Sequence, residues 1–191
     1  AYAQYTCVPQ DAAVAVMPAN LTYEEAAAAP SGGIAAIAVL RMGGIAQGQK
    51  VLVYGASGSV GTFAVQIAKH LGTEVTGVCS KRNLDFVKSL GAGTVIDYTK
   101  EDTLPGGDRY DLVLDAVGKS KSSKLKDQCQ KALTPDGKYI SVDDGSPKNS
   151  IEELSLLNEL VVSGKLKAVI DRSYPLEEIV EAHKYVDQGH K

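Results

Sequence analysis

From Lys50 onward the sequence alternates short apolar runs with stretches of helical period, and this alternation constrains the fold more than any other feature of the 191 residues. Val51–Tyr54, Glu74–Cys79, Thr94–Ile96, Asp111–Asp115 and Lys138–Val142 read as strands, with helices expected at Ser59–Leu71, Lys81–Leu90 and Ser120–Leu133. Strands this short and apolar suit burial on both faces. A strand-helix-strand succession brings consecutive strands parallel and lays helices over both sides of the sheet. The expected fold is therefore α/β, a doubly wound (Rossmann) parallel sheet.

The flanking segments follow other patterns. Residues Ala1 to Pro9 read as a short strand. Thr22-Tyr23-Glu24-Glu25 has the form of a capping box, in which Thr22 covers an unpaired amide and Glu25 reaches back, and an alanine-rich helix follows. Pro30-Ser31-Gly32-Gly33 is expected to interrupt that helix, which resumes over Ile34–Met42. After Val142, the stretch from Asp143 to Ser150 reads as a turn-rich linker. It leads to a helix at Ile151–Val162, a short strand at Leu166–Ile170 and a helix from Pro175 to about Asp187. Pro suits a first helical position because the amide it lacks would be unpaired there in any case. There is no internal repeat.

Charge and cysteine content narrow the function. Twenty basic and 23 acidic residues give a formal charge of −3, so no global field recruits nucleic acid or an anionic membrane. Small molecules or protein surfaces are the expected partners. Cys7, Cys79 and Cys129 are odd in number and widely spaced, which disfavours a disulfide framework or a structural zinc site and suits a reducing cytoplasm. No apolar run is read as long enough to span a membrane and no leader is evident, so a soluble protein is expected.

The candidate site begins in VLVYGASGSVGTFAVQIAKHLG, Val51 to Gly72. In Ala56-x-Gly58-x-x-Gly61, set between a strand and a helix, the first small residue is expected to make the tight turn and the second to clear space for a pyrophosphate. The third lets helix and strand pack closely. The helix N-terminus adds unpaired amides and partial positive charge, which favour an anion, and Ser57 and Ser59 can add hydroxyl donors. A tight turn in an ordinary α/β core is the alternative. The strand-helix-strand context favours dinucleotide binding.

The end of the second strand bears on which dinucleotide. An NAD site places an Asp or Glu there for the ribose 2′-hydroxyl. Glu74 comes too early, and the strand ends in Cys79-Ser80-Lys81-Arg82-Asn83. A hydroxyl and two cations there suit the 2′-phosphate of NADP rather than NAD. In the alternative, Ser80 caps the next helix and Lys81 and Arg82 are solvated; a phosphate at that helix start is compatible with both.

Several blocks in order, VLVYGASGSVGTFAVQIAKHLG, VTGVCS, SLGAGTVIDYTKED, YDLVLDAVG, LTPDGKYISV and AVIDRSYPLEEIVEAHKYVDQGHK, resemble the medium-chain dehydrogenase/reductase superfamily in its zinc-free, quinone oxidoreductase-like branch. The resemblance runs over nearly the whole chain. It implies pyrophosphate contacts at Ser57, Gly58, Ser59 and Val60, and adenosine-phosphate contacts at Ser80 and Lys81 with Arg82 beside them. It also implies a place beside the adenosine half for Tyr98, whose alternative is a partly buried strand-end tyrosine. Ala116, Val117 and Gly118 would pass the nicotinamide ribose, and Val142 and Asp143 would lie near the nicotinamide. It further implies that 1–20 is the tail of a GroES-like substrate domain, 21–150 the Rossmann dinucleotide-binding domain and 151–191 a C-terminal helix-strand-helix segment.

Three departures qualify the resemblance. Most of the GroES-like domain, and with it most of the substrate pocket, is expected to lie outside this sequence. Where many relatives place a threonine by the nicotinamide, Gly33-Ile34-Ala35-Ala36 offers no hydroxyl. A sixth strand after the fifth and a closing strand past Lys191 are not found, so the homodimer mode of the family does not carry over directly.

Other candidates for chemistry are weaker. His70, His183 and His190 read as surface or helix-end histidines, and Asp143-Asp144 as caps for local amides. No nucleophile elbow and no metal spacing is found, so no catalytic acid, base or zinc is assigned. The expected function is NADP-dependent hydride transfer to a quinone or α,β-unsaturated carbonyl, the small electrophile being the substrate of the full-length protein. This sequence alone is expected to bind cofactor without turnover. A zinc-dependent alcohol dehydrogenase with its ligands elsewhere, or a cofactor-binding protein with little turnover, are the alternatives.

Overall fold

Strand β1 (Lys50–Tyr54) lies at the centre of a five-stranded sheet, with β2 (Glu74–Cys79) and β3 (Thr94–Asp97) to one side and β4 (Tyr110–Asp115) and β5 (Leu133–Ser141) to the other. Every pairing is parallel, and the order β3-β2-β1-β4-β5 reverses at β1/β4 as in a doubly wound fold. The computed structural model describes residues 3–100, 102–104, 107, 109–120, 123–145 and 151–188. Helices α1 (Tyr23–Gly43), α2 (Ser59–His70), α3 (Leu84–Ser89), α4 (Lys124–Lys131), α5 (Ile151–Val162) and α6 (Ile179–Asp187) complete the architecture.

Strand alternation divides the core in two. Val51 and Val53 of β1 and Leu112 and Leu114 of β4 point to one face, where they meet Phe63 and Ala64 of α2, Ile37 and Leu40 of α1 and Leu157 of α5. Leu52, Tyr54 and Val113 point to the other, under Leu125 and Cys129 of α4. Both faces are dry, which is why the central strands carry no polar alternation.

The capping box at Thr22 forms as expected, with Glu25 N donating to Thr22 Oγ1 (3.2 Å) and Thr22 N to Glu25 Oε2 (3.0 Å). The expected interruption at Pro30–Gly33 does not occur, and α1 runs unbroken through it. Those glycines are packing positions: a Cβ at Gly32 would stand 2.5 Å from Ser59 Oγ, and one at Gly33 2.6 Å from Leu157 Cδ1. Close approach to α2 and α5 holds the helix together despite the hydrogen bond that Pro30 cannot make. By length and composition α1 is apolar enough to cross a membrane, contrary to the sequence expectation, but half of its apolar window is buried against the other helices and the sheet.

Other boundaries shift. Residues 3–9 form no strand, and Ala1 and Tyr2 lie outside the described residues. The expected Lys81–Leu90 helix opens as a 3-10 turn (Lys81–Asn83) before α3. Helix α4 starts later than Ser120, where Ser123 accepts from Lys126 N, and β5 starts earlier than Lys138 while Val142 begins a 3-10 turn. Of the linker, 146–150 lie outside the described residues. Leu166–Ile170 is not a strand: Leu166 and Ala168 are buried and their neighbours are not, so a period of two arises from a segment draped over the core with no strand beside it. Pro175 precedes a 3-10 turn (Leu176–Glu178) that leads into α6.

Candidate dinucleotide site

The β1–α2 connection is built by three glycines with different tasks. Gly55, at φ +83°, makes the sharp turn that the sequence pattern assigned to Ala56; its amide and that of Ala56 both donate to Val78 O, at 3.0 and 2.9 Å. Ala56 is fully buried and packs toward β2, so its part is positional. Gly61 is needed for packing, since a Cβ there would run into the Gly55 carbonyl and stand 2.8 Å from Ala56 Cα. Gly58 differs from both. Its backbone (φ −81°, ψ 177°) suits any residue, and a Cβ would meet only Gly55 O, at 3.4 Å. Nothing within the chain requires glycine there.

What Gly58 leaves open is the start of α2. Thr62 N makes the first helical bond, to Gly58 O at 2.9 Å, and no side chain caps the helix. The leading amides of Ser59, Val60 and Gly61 are therefore turned toward the space above Gly58, with the positive end of a 12-residue helix behind them. Such an arrangement binds an anion such as a pyrophosphate.

At the end of β2, Ser80 is partly buried and Lys81 and Arg82 are exposed. Ser80 makes no backbone cap; its hydroxyl oxygen accepts from Asn83 Nδ2 at 3.3 Å. The following helix is too short to add much dipole, so any attraction for a phosphate there comes from the two cationic side chains. The sequence pattern missed a carboxylate: parallel pairing sets Asp97 of β3 beside Cys79. Asp97 Oδ1 accepts from Thr99 Oγ1 (2.6 Å) and Thr99 N (2.9 Å), and Oδ2 is buried without a hydrogen-bond partner. The Thr99 hydroxyl above all holds this carboxyl below its usual range. Tyr98, just past β3, is about half exposed, with its amide on Cys79 O at 3.2 Å.

A cleft of about 580 Å³ opens beside the β1–α2 turn and the end of β2. Ser57, Arg82, Asn83 and Phe86 form one wall, and Val169–Arg172 with Tyr185 form the other. In that second wall the Arg172 guanidinium lies 4.3 Å over the Tyr185 ring, and Tyr185 OH donates to Asp171 Oδ2 at 2.6 Å. Sequence reasoning missed this wall, because it read Val169 and Ile170 as part of a short strand and Tyr185 as part of the last helix, with nothing in either pattern to bring them to the phosphate turn.

On the other side of β1 the turn after β4 is tightly held. Ala116 N donates to Tyr54 O (2.9 Å), while the amides of Val117 and Gly118 both donate to Asp115 Oδ1 at 3.1 Å. Asp115 Oδ2 receives Lys126 Nζ at 2.6 Å and Tyr139 OH at 2.8 Å. Burial alone would raise the Asp115 carboxyl, but the Lys126 ammonium, the Tyr139 hydroxyl and the two amides hold it below its ordinary value. Burial, reinforced by this carboxylate, pushes the Tyr139 phenol up. Asp144 Oδ2 accepts from the nearby Ser141 N at 2.7 Å, as expected of a local cap, but Asp143 caps an amide distant in sequence, accepting from Lys119 N at 2.5 Å. Val142 is partly buried beside them at the end of β5.

His70 and His183 are exposed, His190 lies outside the described residues, and among the described residues no three His, Cys, Asp or Glu side chains gather as a metal-ligand set. The donor set of a zinc site is thus not found in the described part of this chain. The residues around Gly58, by contrast, fit a dinucleotide phosphate.

A doubly wound sheet with an open glycine turn and a free helix start at its reversal point defines a dinucleotide-binding domain. The comparisons specify which kind. The family model for zinc-binding dehydrogenases matches residues 59–173. The chain is 36% identical to a 2-methylene-furan-3-one reductase of Solanum lycopersicum, over 98% of its own length and 50% of that protein's, and 32% identical to an NADPH-dependent alkenal/one oxidoreductase of Arabidopsis thaliana over the same shares. The solved quinone oxidoreductase of Coxiella burnetii superposes with a TM-score of 0.78 at 32% identity, over 90% of this chain and 59% of that one. The chain belongs to the zinc-binding dehydrogenase family, as a quinone oxidoreductase-like member of the medium-chain dehydrogenase/reductase superfamily. It spans about half the length of the curated relatives it matches.

Proposed function

We propose that this chain is the cofactor-binding part of an NADPH-dependent reductase acting on an enone or a quinone. The observation that carries the proposal is Gly58, a glycine that the chain itself does not need, set beneath the open start of α2. Ser57, Gly58, Ser59 and Val60 would hold the pyrophosphate, and Ser80, Lys81 and Arg82 the adenosine 2′-phosphate, with Tyr98 beside it. Two exposed cations at the end of β2 support NADPH. The turns at Ala116–Gly118 and Val142–Asp143 would flank the other half of the cofactor.

The bound nicotinamide supplies the hydride, so the protein's part is to bind, orient and exclude water. An electron-poor alkene or quinone is the acceptor class in the names of the relatives, and it needs no nucleophile from the protein. Residues 1–20 belong in this proposal to the neighbouring substrate domain and 21–150 to the cofactor domain. The three free cysteines, two of them buried, suit a reducing compartment such as the cytoplasm.

Titration of the chain with NADPH and NADH by nicotinamide fluorescence tests the cofactor assignment. NADPH should bind more tightly, and equal affinity would overturn the 2′-phosphate assignment. Hydride transfer from NADPH to a quinone and to an enone, measured on the protein including its substrate domain with and without a chelator, tests the reaction. Chelator-sensitive alcohol oxidation in place of enone or quinone reduction would overturn it.

A further inference from the structure

We propose that the buried Asp115–Lys126 pair is a positioning element for the nicotinamide half of the cofactor, acting by holding Gly118 from both sides. The inference rests on the dinucleotide assignment above. In an open α/β sheet a ligand lies outside the carboxyl ends of the strands where their order reverses, here between β1 and β4. The adenosine end belongs to β2 on one flank of β1. The other half must therefore extend across the end of β4, and the first backbone there is the turn Ala116–Gly118. The two turns abut, since a Cβ on Gly55 would stand 2.5 Å from Val117 Cγ2.

Both backbone groups of Gly118 are engaged by the pair. Its amide donates to Asp115 Oδ1 at 3.1 Å, and its carbonyl accepts from Lys126 Nζ at 2.6 Å. The same ammonium reaches Asp115 Oδ2 at 2.6 Å, and the two side chains are only 9% and 2% exposed. Tyr139 OH and Ser141 Oγ, at 2.8 and 3.4 Å, fix Asp115 Oδ2 from the side of β5. Gly118 sits at φ +72°, where a Cβ would stand 2.6 Å from Asp143 Oδ2. A left-handed residue with one hydrogen-bonding arrangement is thus set at the wall of the site.

Stability alone does not account for this. A buried ion pair gains little over an apolar pair of similar volume, which would hold α4 on the sheet equally well. An apolar pair would remove the side-chain partners of both the Gly118 amide and the Gly118 carbonyl, and with them the hold on the turn. Functional geometry must be held within about 0.5 Å, and a misplacement of about 1 Å can cost roughly a hundredfold in rate.

The test compares two ligands on the 191-residue chain: NADPH, which covers both halves of the site, and 2′,5′-ADP, which covers only the adenosine half. Asp115→Asn and Lys126→Met each release the turn that meets the nicotinamide half, and the loss of about one hydrogen bond's worth of contact there should weaken NADPH roughly tenfold while leaving 2′,5′-ADP within about twofold. The double variant removes both charges, so its melting temperature should recover toward the parent while NADPH binding stays weak. A parallel loss of both ligands, unchanged NADPH binding in the variants, or NADPH affinity that recovers with stability in the double variant would overturn the inference. A parent that binds neither ligand would overturn the dinucleotide assignment itself, and the inference with it.

Discussion

Two glycines three positions apart should respond oppositely to the same substitution. At Gly61 the new methyl would press on the Gly55 carbonyl and stand 2.8 and 2.9 Å from Ala56 Cα and C, all of it backbone. Neither β1 nor α2 can yield without disturbing the sheet, so Gly61→Ala should carry an overpacking cost of about 1–3 kcal/mol. In a domain of this size that lowers the melting temperature by about 2–12 °C. At Gly58 the nearest atom is 3.4 Å away and the backbone is extended, so a methyl fits. The loss of a favourable N-cap residue and the lower entropy of the unfolded chain offset one another, leaving stability within about 1 kcal/mol of the parent. Binding should show the reverse pattern. A methyl at Gly58 would push the pyrophosphate off the helix amides, and losing two charge-assisted hydrogen bonds of about 1.5 kcal/mol each weakens NADPH about a hundredfold. Thermal melting and fluorescence titration of both variants make the comparison. If Gly58→Ala binds NADPH like the parent, no phosphate passes over that turn; if Gly61→Ala melts with the parent, the close packing is not what requires glycine.

Replacing Lys81 and Arg82 together by Ala should remove most of a tenfold to hundredfold preference for NADPH over NADH, taking each exposed contact at about 1 kcal/mol. Added salt should weaken the preference of the parent, which paired titrations at two ionic strengths would show. Burial pushes the Cys79 thiol up to about 11 and the Cys129 thiol up to about 12, whereas Cys7 is exposed. A thiol reagent at neutral pH should therefore modify Cys7 alone in the native chain and all three cysteines in denaturant. The Asp115 carboxyl is held below the ordinary aspartate value of about 3.9, so its stabilisation is complete above that value and is lost as pH falls through the lower folded one. Between about pH 5 and pH 2 the melting temperature of Asp115→Asn should accordingly fall less than that of the parent.

Local pattern alone determined much of this protein. The apolar runs, the helical periods between them, the Thr22 capping box and the small-residue loop after β1 each lie within one short window. Their physics is local: side-chain period, capping and φ preference act over a few residues. The doubly wound sheet and the small-residue turn between β1 and α2 were legible for that reason, as was the role of Asp144 as a cap for the nearby Ser141 amide, whereas Asp143 caps Lys119, which the sheet brings to it from the end of β4. What only the tertiary structure decided depends on residues far apart in sequence. Helix α1 survives Pro30 because Gly33 meets Leu157, and Arg41 reaches Glu153 at 3.0 Å, contacts that no window around Pro30 contains. The false strand at Leu166–Ile170 shows the converse, since burial on alternate residues makes a strand only where a neighbour offers hydrogen bonds. Asp97 beside Cys79, the wall of Arg172 and Tyr185 across from Arg82, and Lys126 beneath Gly118 likewise arise from strand register and helix placement. A sequence names the groups that can bind a phosphate; the order and spacing of strands decide which of them face one another.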